Sequence, residues 1–430
     1  MSKKIVILGA GLTGLSTAYH LENGCYIYEQ NDYVGGLAAS FKKSGFVFDC
    51  DGHLLHFKTD YARRLVHRLL PKILTVHKRN AWIFSHNTYT KYPFQANTYG
   101  LPNSVVKNCI LGMLNNRKKI TARKKNNLKD WMFEKFGFGI TNHFMYPYNL
   151  KFWTIRPEKL IPDWTEKYVP LVRREEVVSG AFSLKTKEFG YNSRFWYPKQ
   201  GGIEQLPQAL SKHIRNIKLG HKICAVDMKK NKVFFKNGKS ANYRHLVSTI
   251  PLIELNELII NKLPADIRRA FSRLKYISIF NCNLGINRKM ISDKHWIYFP
   301  EDKYCFFRVG FATNFSKYVA PQGTSSLYAE LSYSDSKPLP DCDVVQKIYT
   351  DLIAAGILKP EDKILTTHIN DIKYGYVIYD KNYHISVKTI KDYLYKHNIY
   401  PAGRFGAWRY MSMEDAMLEG KRLSGFLKQI

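Results

Sequence analysis

No stretch of this 430-residue chain reaches the ~18 consecutive apolar residues that a membrane-spanning helix needs. The opening MSKKIVILGAGLTG joins basic residues to an apolar run, as a leader peptide does. The run passes into glycines with no small-residue cleavage site, so it reads as a strand. No CxxC or CxxH pair occurs. The seven cysteines are an odd, scattered set, which argues against a disulfide frame or a zinc site and suits reduced thiols in a cytoplasmic protein; no metal is expected. There is no internal repeat and no low-complexity segment. Acidic residues are scarce: 35 Asp and Glu face 66 Lys and Arg, for a net charge of +31. Such a field favours anionic partners, whether nucleic acid, anionic lipid or phosphorylated small molecules. The densest basic run, NRKKITARKK at 116–125, has no aromatic residues between its charges and reads as a solvated face. Neither nucleic-acid binding nor stable membrane insertion is expected, and peripheral contact with lipid stays open.

What is present is an ordinary globular composition, 45% hydrophobic and 14% aromatic, on a chain long enough for two or three structural units. KIVILGA, GLTGLSTAYHLE and CYIYEQ read as strand, helix and strand. Residues 100–145 look helical with polar breaks. Residues 215–250 carry short strands (HKICAVDM, NKVFFKNG, HLVSTIP) with a turn at Asn237-Gly238, and about 275–335 is β-rich. Apolar spacings of three and four predict a helix from Met411 to Ile430. This order predicts an α/β protein: a Rossmann-type domain from 1–60, 200–250 and 396–430, a mainly helical insertion at 61–175, and a β-rich substrate domain from 176–199 and 251–395.

The sharpest motif is Gly9-Ala-Gly11-Leu-Thr13-Gly14, after an apolar strand and at the start of a helix. The first glycine permits the tight turn, the second lets a pyrophosphate approach the backbone, and the third lets helix pack on strand. Glu29 ends the next strand, where an acid holds a ribose hydroxyl pair. Together these point to a dinucleotide.

A second glycine pair, Gly35-Gly36-Leu37-Ala38-Ala39, follows, then GFVFDCDGHLLHF. This arrangement resembles the large FAD family that holds amine oxidases, protoporphyrinogen oxidases, phytoene desaturases and UDP-galactopyranose mutases. The resemblance implies that Gly35, Gly36 and Leu37 approach the cofactor pyrophosphate. It places Gly52 and His53 beside the flavin, Ile223 of HKICAVD at the adenine, and Gly403, Tyr410, Met413, Glu414 and Asp415 of GRFGAWRYMSMEDAMLEG at the flavin end.

Within that family, VGGLAASF, DGHLLHF, KYPFQANTYGLP, MYPYNLKFW, WIYFPEDKYCFFR and GRFGAWRY are similar to UDP-galactopyranose mutases, nearer the eukaryotic form. The likeness runs from about residue 5 to 420. It implies pyranose–furanose ring contraction of a nucleotide-diphosphate sugar, through an adduct at N5 of a reduced flavin and without net redox change. No separate NAD(P)H motif is visible, but the resemblance implies that an external NAD(P)H can serve as reductant without one. Diphosphate needs cations, and guanidinium forks fit phosphate oxygens. The resemblance assigns that task to Arg308 and Arg404, with Tyr298, Tyr376 and Tyr410 reaching the same phosphates, and His53 beside the flavin, where His56 is the competing assignment. Tyr92, Phe94 and Gln95 fall at uridine positions and Asn192 near the nucleotide. In MYPYNLKFW, Asn149 is expected to face the ligand and Trp153 the sugar, with Met145 and Phe152 as core behind the wall.

Two positions depart from the mutase pattern. Tyr168 stands where a substrate-pocket arginine is expected, with Arg173 and Arg174 out of register, and Glu414 replaces an asparagine near the flavin edge. The sugar therefore stays open. So do two rival readings: an oxidase or dehydrogenase of the same family, and a basic flavoprotein that binds lipid or nucleic acid. Oligomeric state is not readable.

Overall fold

The structure is a computed structural model and describes residues 5–22, 24–116, 127–184, 189–190 and 193–430. Most of the 116–125 basic run lies outside the described residues.

The first structural unit is a five-stranded parallel sheet. Its order is Ile399–Pro401, His245–Ser248, Ile5–Leu8, Cys25–Tyr28 and Ile217–Lys218. IVIL at Ile5–Leu8 sits in the middle, buried at every residue, as a parallel strand covered on both faces requires. Helix Leu12–Leu21 follows it, and the terminal helix Met413–Gln429 lies against that helix. Thr13 and Ser16 hydroxyls donate to Ala416 O (3.1 Å) and Met417 O (2.6 Å), which ties together residues about four hundred positions apart in sequence. The chain therefore closes its nucleotide domain only when its last helix is in place.

A small antiparallel sheet, Ile223–Asp227, Lys232–Phe235 and Ser240–Asn242, flanks this unit. The turn at Asn237-Gly238 lies within it, with Gly238 N–H donating to Phe235 O at 3.0 Å.

The second sheet has seven strands: Ile364–Val377, Tyr276–Ile286, Ser325–Tyr333, Arg308–Gly310, Trp296–Tyr298, Ala81–Ser85 and Thr88–Lys91. Its register sets the site, because Arg308 faces Tyr298 on one side and Glu330 on the other.

The stretch 61–175 carries three strands beside its helices. Leu74–Lys78 pairs with Arg194–Pro198, while Ala81–Ser85 and Thr88–Lys91 form a hairpin on the edge of the seven-stranded sheet. The turn residues His86 and Asn87 both take positive φ (51° and 55°), the geometry of a two-residue hairpin. Helix Asp60–Leu69 precedes these strands, and Asn103–Leu114, Leu128–Ile140 and Tyr146–Trp153 follow them, the last entered through a wide turn at Thr141–Met145. No helix among the described residues is long and apolar enough to cross a membrane.

Candidate active site

A cavity of about 1140 Å³ runs from the parallel sheet to the seven-stranded one. At one end lies the glycine turn. Gly9 has φ +97°, and a methyl on Gly14 would collide with the Gly9 carbonyl oxygen. Gly14 thus lies under the turn and off the cavity wall, while Gly9, Gly11 and Thr13 line it. Helix Leu12–Leu21 has no side-chain cap and no acid in its first turn, so its N-terminal N–H groups are left for an anion. Gly35 N–H donates to Ala10 O at 2.9 Å and bridges Gly11, which brings the two glycine motifs together. Glu29 lines the same end, its oxygens accepting Ala10 N–H at 2.7 Å and Asn31 N–H at 3.0 Å. Leu37, Ile223, Gly403 and Met413 complete this half. The uncapped helix end, the close-packed glycines and the ribose-side acid fit a dinucleotide such as FAD.

Glu414 and Asp415 stand elsewhere. Glu414 is buried and accepts Lys58 N–H and Thr59 N–H (both 2.8 Å) and the Thr59 hydroxyl (2.7 Å). It braces the 58–59 loop and is absent from the cavity wall, a correction to its expected place at the flavin edge. Asp415 caps the terminal helix through Ser412 and pairs with Lys167 at 3.0 Å.

Gly52, His53 and His56 line the middle of the cavity. Burial lowers the His53 pKa, and Arg404 and Arg308 push the same way against Asp51, so the imidazole is held neutral. Burial takes His56 down to about 4, and its Nδ1 lies 3.1 Å from Arg194 O. Of the two, His53 is the one set between the arginines and an acid.

At the far end, Arg404 lies over the Tyr376 and Tyr410 rings, 4.5 and 4.8 Å from their centroids. One of its nitrogens donates to Gly375 O at 2.8 Å, while its buried Nε–H has no partner among the described residues. Arg308 differs: its guanidinium forks onto both oxygens of Glu330, which is 1% exposed. Arg404 thus faces the cavity without a carboxylate, and Arg308 brings one of its own. Tyr298, Tyr92 and Tyr148 form a ring cluster beside them, with Tyr298 centred 5.5 Å from each of the other two. Burial raises the Tyr92, Tyr148, Tyr376 and Tyr410 phenols above their usual value, so all four remain protonated donors.

MYPYNLKFW forms one wall, but not with the expected division of labour. Met145 and Phe152 line the cavity as Asn149 and Trp153 do, because the spacing 145, 148, 149, 152 and 153 puts them all on one helical face. Asn149 spends its amide nitrogen on Met145 O at 2.8 Å. Trp153 is 3% exposed, and its indole N–H has no partner among the described residues. Phe94 lies behind the wall, stacked on Phe144 at 5.0 Å, which moves it from ligand contact to core. Gln95 lines the cavity and holds the 168–170 strap through Pro170 O at 2.6 Å. Asn192 lies outside the described residues.

Tyr168 lines the cavity, edge-on to Tyr410 at 4.6 Å, with the Lys58 and Lys167 ammoniums 5.5 and 5.3 Å from its centroid. Neither Arg173 nor Arg174 substitutes for an arginine here. The Arg173 side chain is 76% exposed, and Arg174 donates to Asn116 O at 3.2 Å, away from the cavity.

Sequence reasoning missed Asp51, Tyr148, Tyr328 and Glu330. Asp51 adjoins the quoted Gly52-His53 step, and an acid amid apolar neighbours was its available signal. Glu330 had none, since only the strand register brings it to Arg308.

The site and fold define a flavoprotein. The family described as "Flavin containing amine oxidoreductase" matches residues 12–424, and the chain belongs to it. Among curated relatives, L-amino-acid oxidase from Crotalus adamanteus is 26% identical over 228 residues, 50% of this chain and 42% of that one. The chain thus matches under half the length of that relative. Among solved structures, reduced UDP-galactopyranose mutase superposes with a TM-score of 0.95 at 28% identity, covering 100% of this chain and 94% of that one. Putrescine oxidase bound to putrescine gives a TM-score of 0.69 at 12% identity, covering 100% of both chains, a likeness of fold alone.

Proposed function

We propose that this protein is an FAD-dependent nucleotide-sugar pyranose–furanose mutase. The observation that carries this reading is Arg404: a guanidinium with a buried, unpartnered N–H, set between Tyr376 and Tyr410 in the same cavity as the glycine cradle. A cation so placed in a site partly closed to water is matched by a phosphate or diphosphate. An amine substrate would be repelled by it. The full-length superposition on reduced UDP-galactopyranose mutase supports the same class.

Reduced FAD, when bound, supplies a nucleophilic nitrogen, and the chemistry needs no net oxidant. The chain supplies the rest. Arg404 and the phenols of Tyr298, Tyr376 and Tyr410 hold the diphosphate as it leaves and returns. Tyr92 and Gln95 border the nucleoside, Asn149 and Trp153 the sugar, and neutral His53 presents a nitrogen to the flavin side. Tyr168 gives this end of the cavity an aromatic edge where an arginine was expected, and the Lys58 and Lys167 ammoniums flank its ring. An external NAD(P)H serves as reductant.

Anaerobic incubation of dithionite-reduced protein with a panel of UDP- and other nucleotide-diphosphate hexoses tests the proposal. A furanose isomer, identified by NMR, is expected with at least one member of the panel. Absence of any furanose across the panel, with oxidation of amines or amino acids in air, would replace it with the oxidase reading.

A further inference from the structure

Two amides stand inside the seven-stranded sheet where apolar residues would be cheaper. Strand Tyr276–Ile286 is paired on both sides, and its Phe280, Cys282 and Leu284 are core. On its other face Asn281 and Asn283 are 0% and 4% exposed. Burying an amide is costly unless hydrogen bonds replace its water. The register sets Asn281 opposite Asn370 on one side and Glu330 on the other, and Arg308 and Tyr298 continue the row beyond Glu330. Asn370, Arg308 and Tyr298 bring this polar row to the cavity wall.

Asn281 reaches from this row to the loop that carries His53. Asn283 Nδ2 donates to Asn281 Oδ1 at 2.6 Å, which leaves the Asn281 nitrogen to donate to Asp51 Oδ1 at 3.1 Å. The same carboxylate oxygen accepts Gly52 N–H at 2.7 Å. The Asp51 carbonyl oxygen accepts His53 N–H at 2.7 Å and lies 3.2 Å from His53 Nδ1. Asp51 therefore gathers every N–H of the 52–53 step. A methyl on Gly52 would collide with the Tyr328 hydroxyl, so the step also lies directly against strand Ser325–Tyr333. A carbonyl oxygen only accepts, so Nδ1 is the ring nitrogen that carries the proton. In the neutral imidazole Nε2 is then bare, and it has no hydrogen-bond partner among the described residues.

We propose that Asp51 and Asn281 are positioning residues that fix His53 as its Nδ1-protonated tautomer, with Nε2 presented as a hydrogen-bond acceptor. Asn281 anchors the Asp51 carboxylate to the sheet, and Asp51 orients the imidazole through its carbonyl and the Gly52 N–H. Because Asn281 and Arg308 belong to one row of the sheet, the strand register also sets how far His53 stands from the diphosphate end. The consequence for turnover rests on the mutase reading; the tautomer does not.

Nitrogen NMR of the oxidised holoprotein, labelled with 15N-histidine, reads the tautomer without turnover; the His53 signals are those lost in His53→Gln. Wild type is expected to show a protonated Nδ1 and a bare Nε2. Asp51→Ala and Asn281→Ala are expected to mix the two tautomers. Asp51→Asn keeps an acceptor for Gly52 and Asn281 and is expected to retain the wild-type signals. A protonated Nε2 in wild type, or signals indifferent to both alanine substitutions, overturns the proposal. In furanose formation, Asp51→Ala is expected to lower kcat by roughly 10²-fold with UDP affinity unchanged, as for a displaced group near the chemistry, and Asp51→Asn to recover most of that loss. UDP affinity falling in step with kcat would show a general loss of structure and overturn the positioning role. If Asp51→Ala fails to fold, Asn281→Ala carries both readings. No furanose from wild type overturns the mutase reading alone, and the tautomer signals then decide the positioning.

Discussion

Arg404 and Arg308 share a cavity yet answer to different physics. Arg404 meets rings and one carbonyl, so its truncation strands no buried carboxylate. Arg404→Ala should weaken nucleoside diphosphate binding by about 2–4 kcal/mol while leaving the unfolding midpoint near wild type. Calorimetric titration with UDP, beside a denaturant melt, checks both parts. Arg308→Ala leaves Glu330 and Asp51 buried without their cation. Its larger effect should be on folding, a loss of about 3–5 kcal/mol in the same melt. A variant as stable as wild type would show that the Arg308–Glu330 pair is dispensable. The sequence showed both arginines as equals, because the partner that separates them sits on another strand.

Among the elements, helix Tyr146–Trp153 brings Tyr148, Asn149, Phe152 and Trp153 to the wall, and a buried lysine fixes its position. Lys151 donates to Phe299 O at 3.1 Å and Glu301 O at 2.7 Å, and burial lowers its pKa to about 7. The folded state therefore releases this proton before the unfolded chain does. Below about pH 7 both states hold it and the burial cost is constant; from there up to 10.5, its ordinary value, the unfolded state binds more protons and stability rises with pH. Stability from urea melts at pH 7 and pH 9 should increase by about 1–3 kcal/mol, and Lys151→Met should flatten that rise. An equal rise in the variant would assign the slope to other groups.

The brace at the start of the terminal helix works by hydrogen bonding alone. Glu414→Ala removes the acceptor for two backbone N–H groups and a hydroxyl, which should cost about 2–4 kcal/mol. Flavin retention on gel filtration should fall with it, since loop 58–59 adjoins the His53–His56 wall. Full stability of the variant would contradict the bracing role. Helix periodicity made the Met413–Gln429 element legible in sequence; the direction of its first-turn acid was not, because Asp415 caps the helix and Glu414 crosses to another loop.

At the scale of the molecule, the parallel sheet draws strands from residues 5 to 401, and its closing helix is the last in the chain. The glycine spacing and the alternation of strand and helix made that sheet readable, since both are local signals. The hairpin at 81–91 was not readable as part of the substrate sheet, because its pairing with Trp296–Tyr298 is a contact over more than two hundred residues. The same limit hid Asp51 and Glu330. The residues that share Arg404's end of the cavity come from the 92–95 loop, the helix at 146–153, the 296–310 hairpin, the end of Ile364–Val377 and the 403–410 segment. A site drawn from so many segments exists only in the finished fold.

The account turns on whether catalysis proceeds without consuming electrons. The most direct measurement is the ratio of product to reducing equivalents, taken on protein reduced once, kept anaerobic and given excess nucleotide sugar. The account predicts many furanose molecules per flavin reduced, with no further reductant used and activity lost on reoxidation. One product per electron pair, or turnover that requires oxygen, would contradict it.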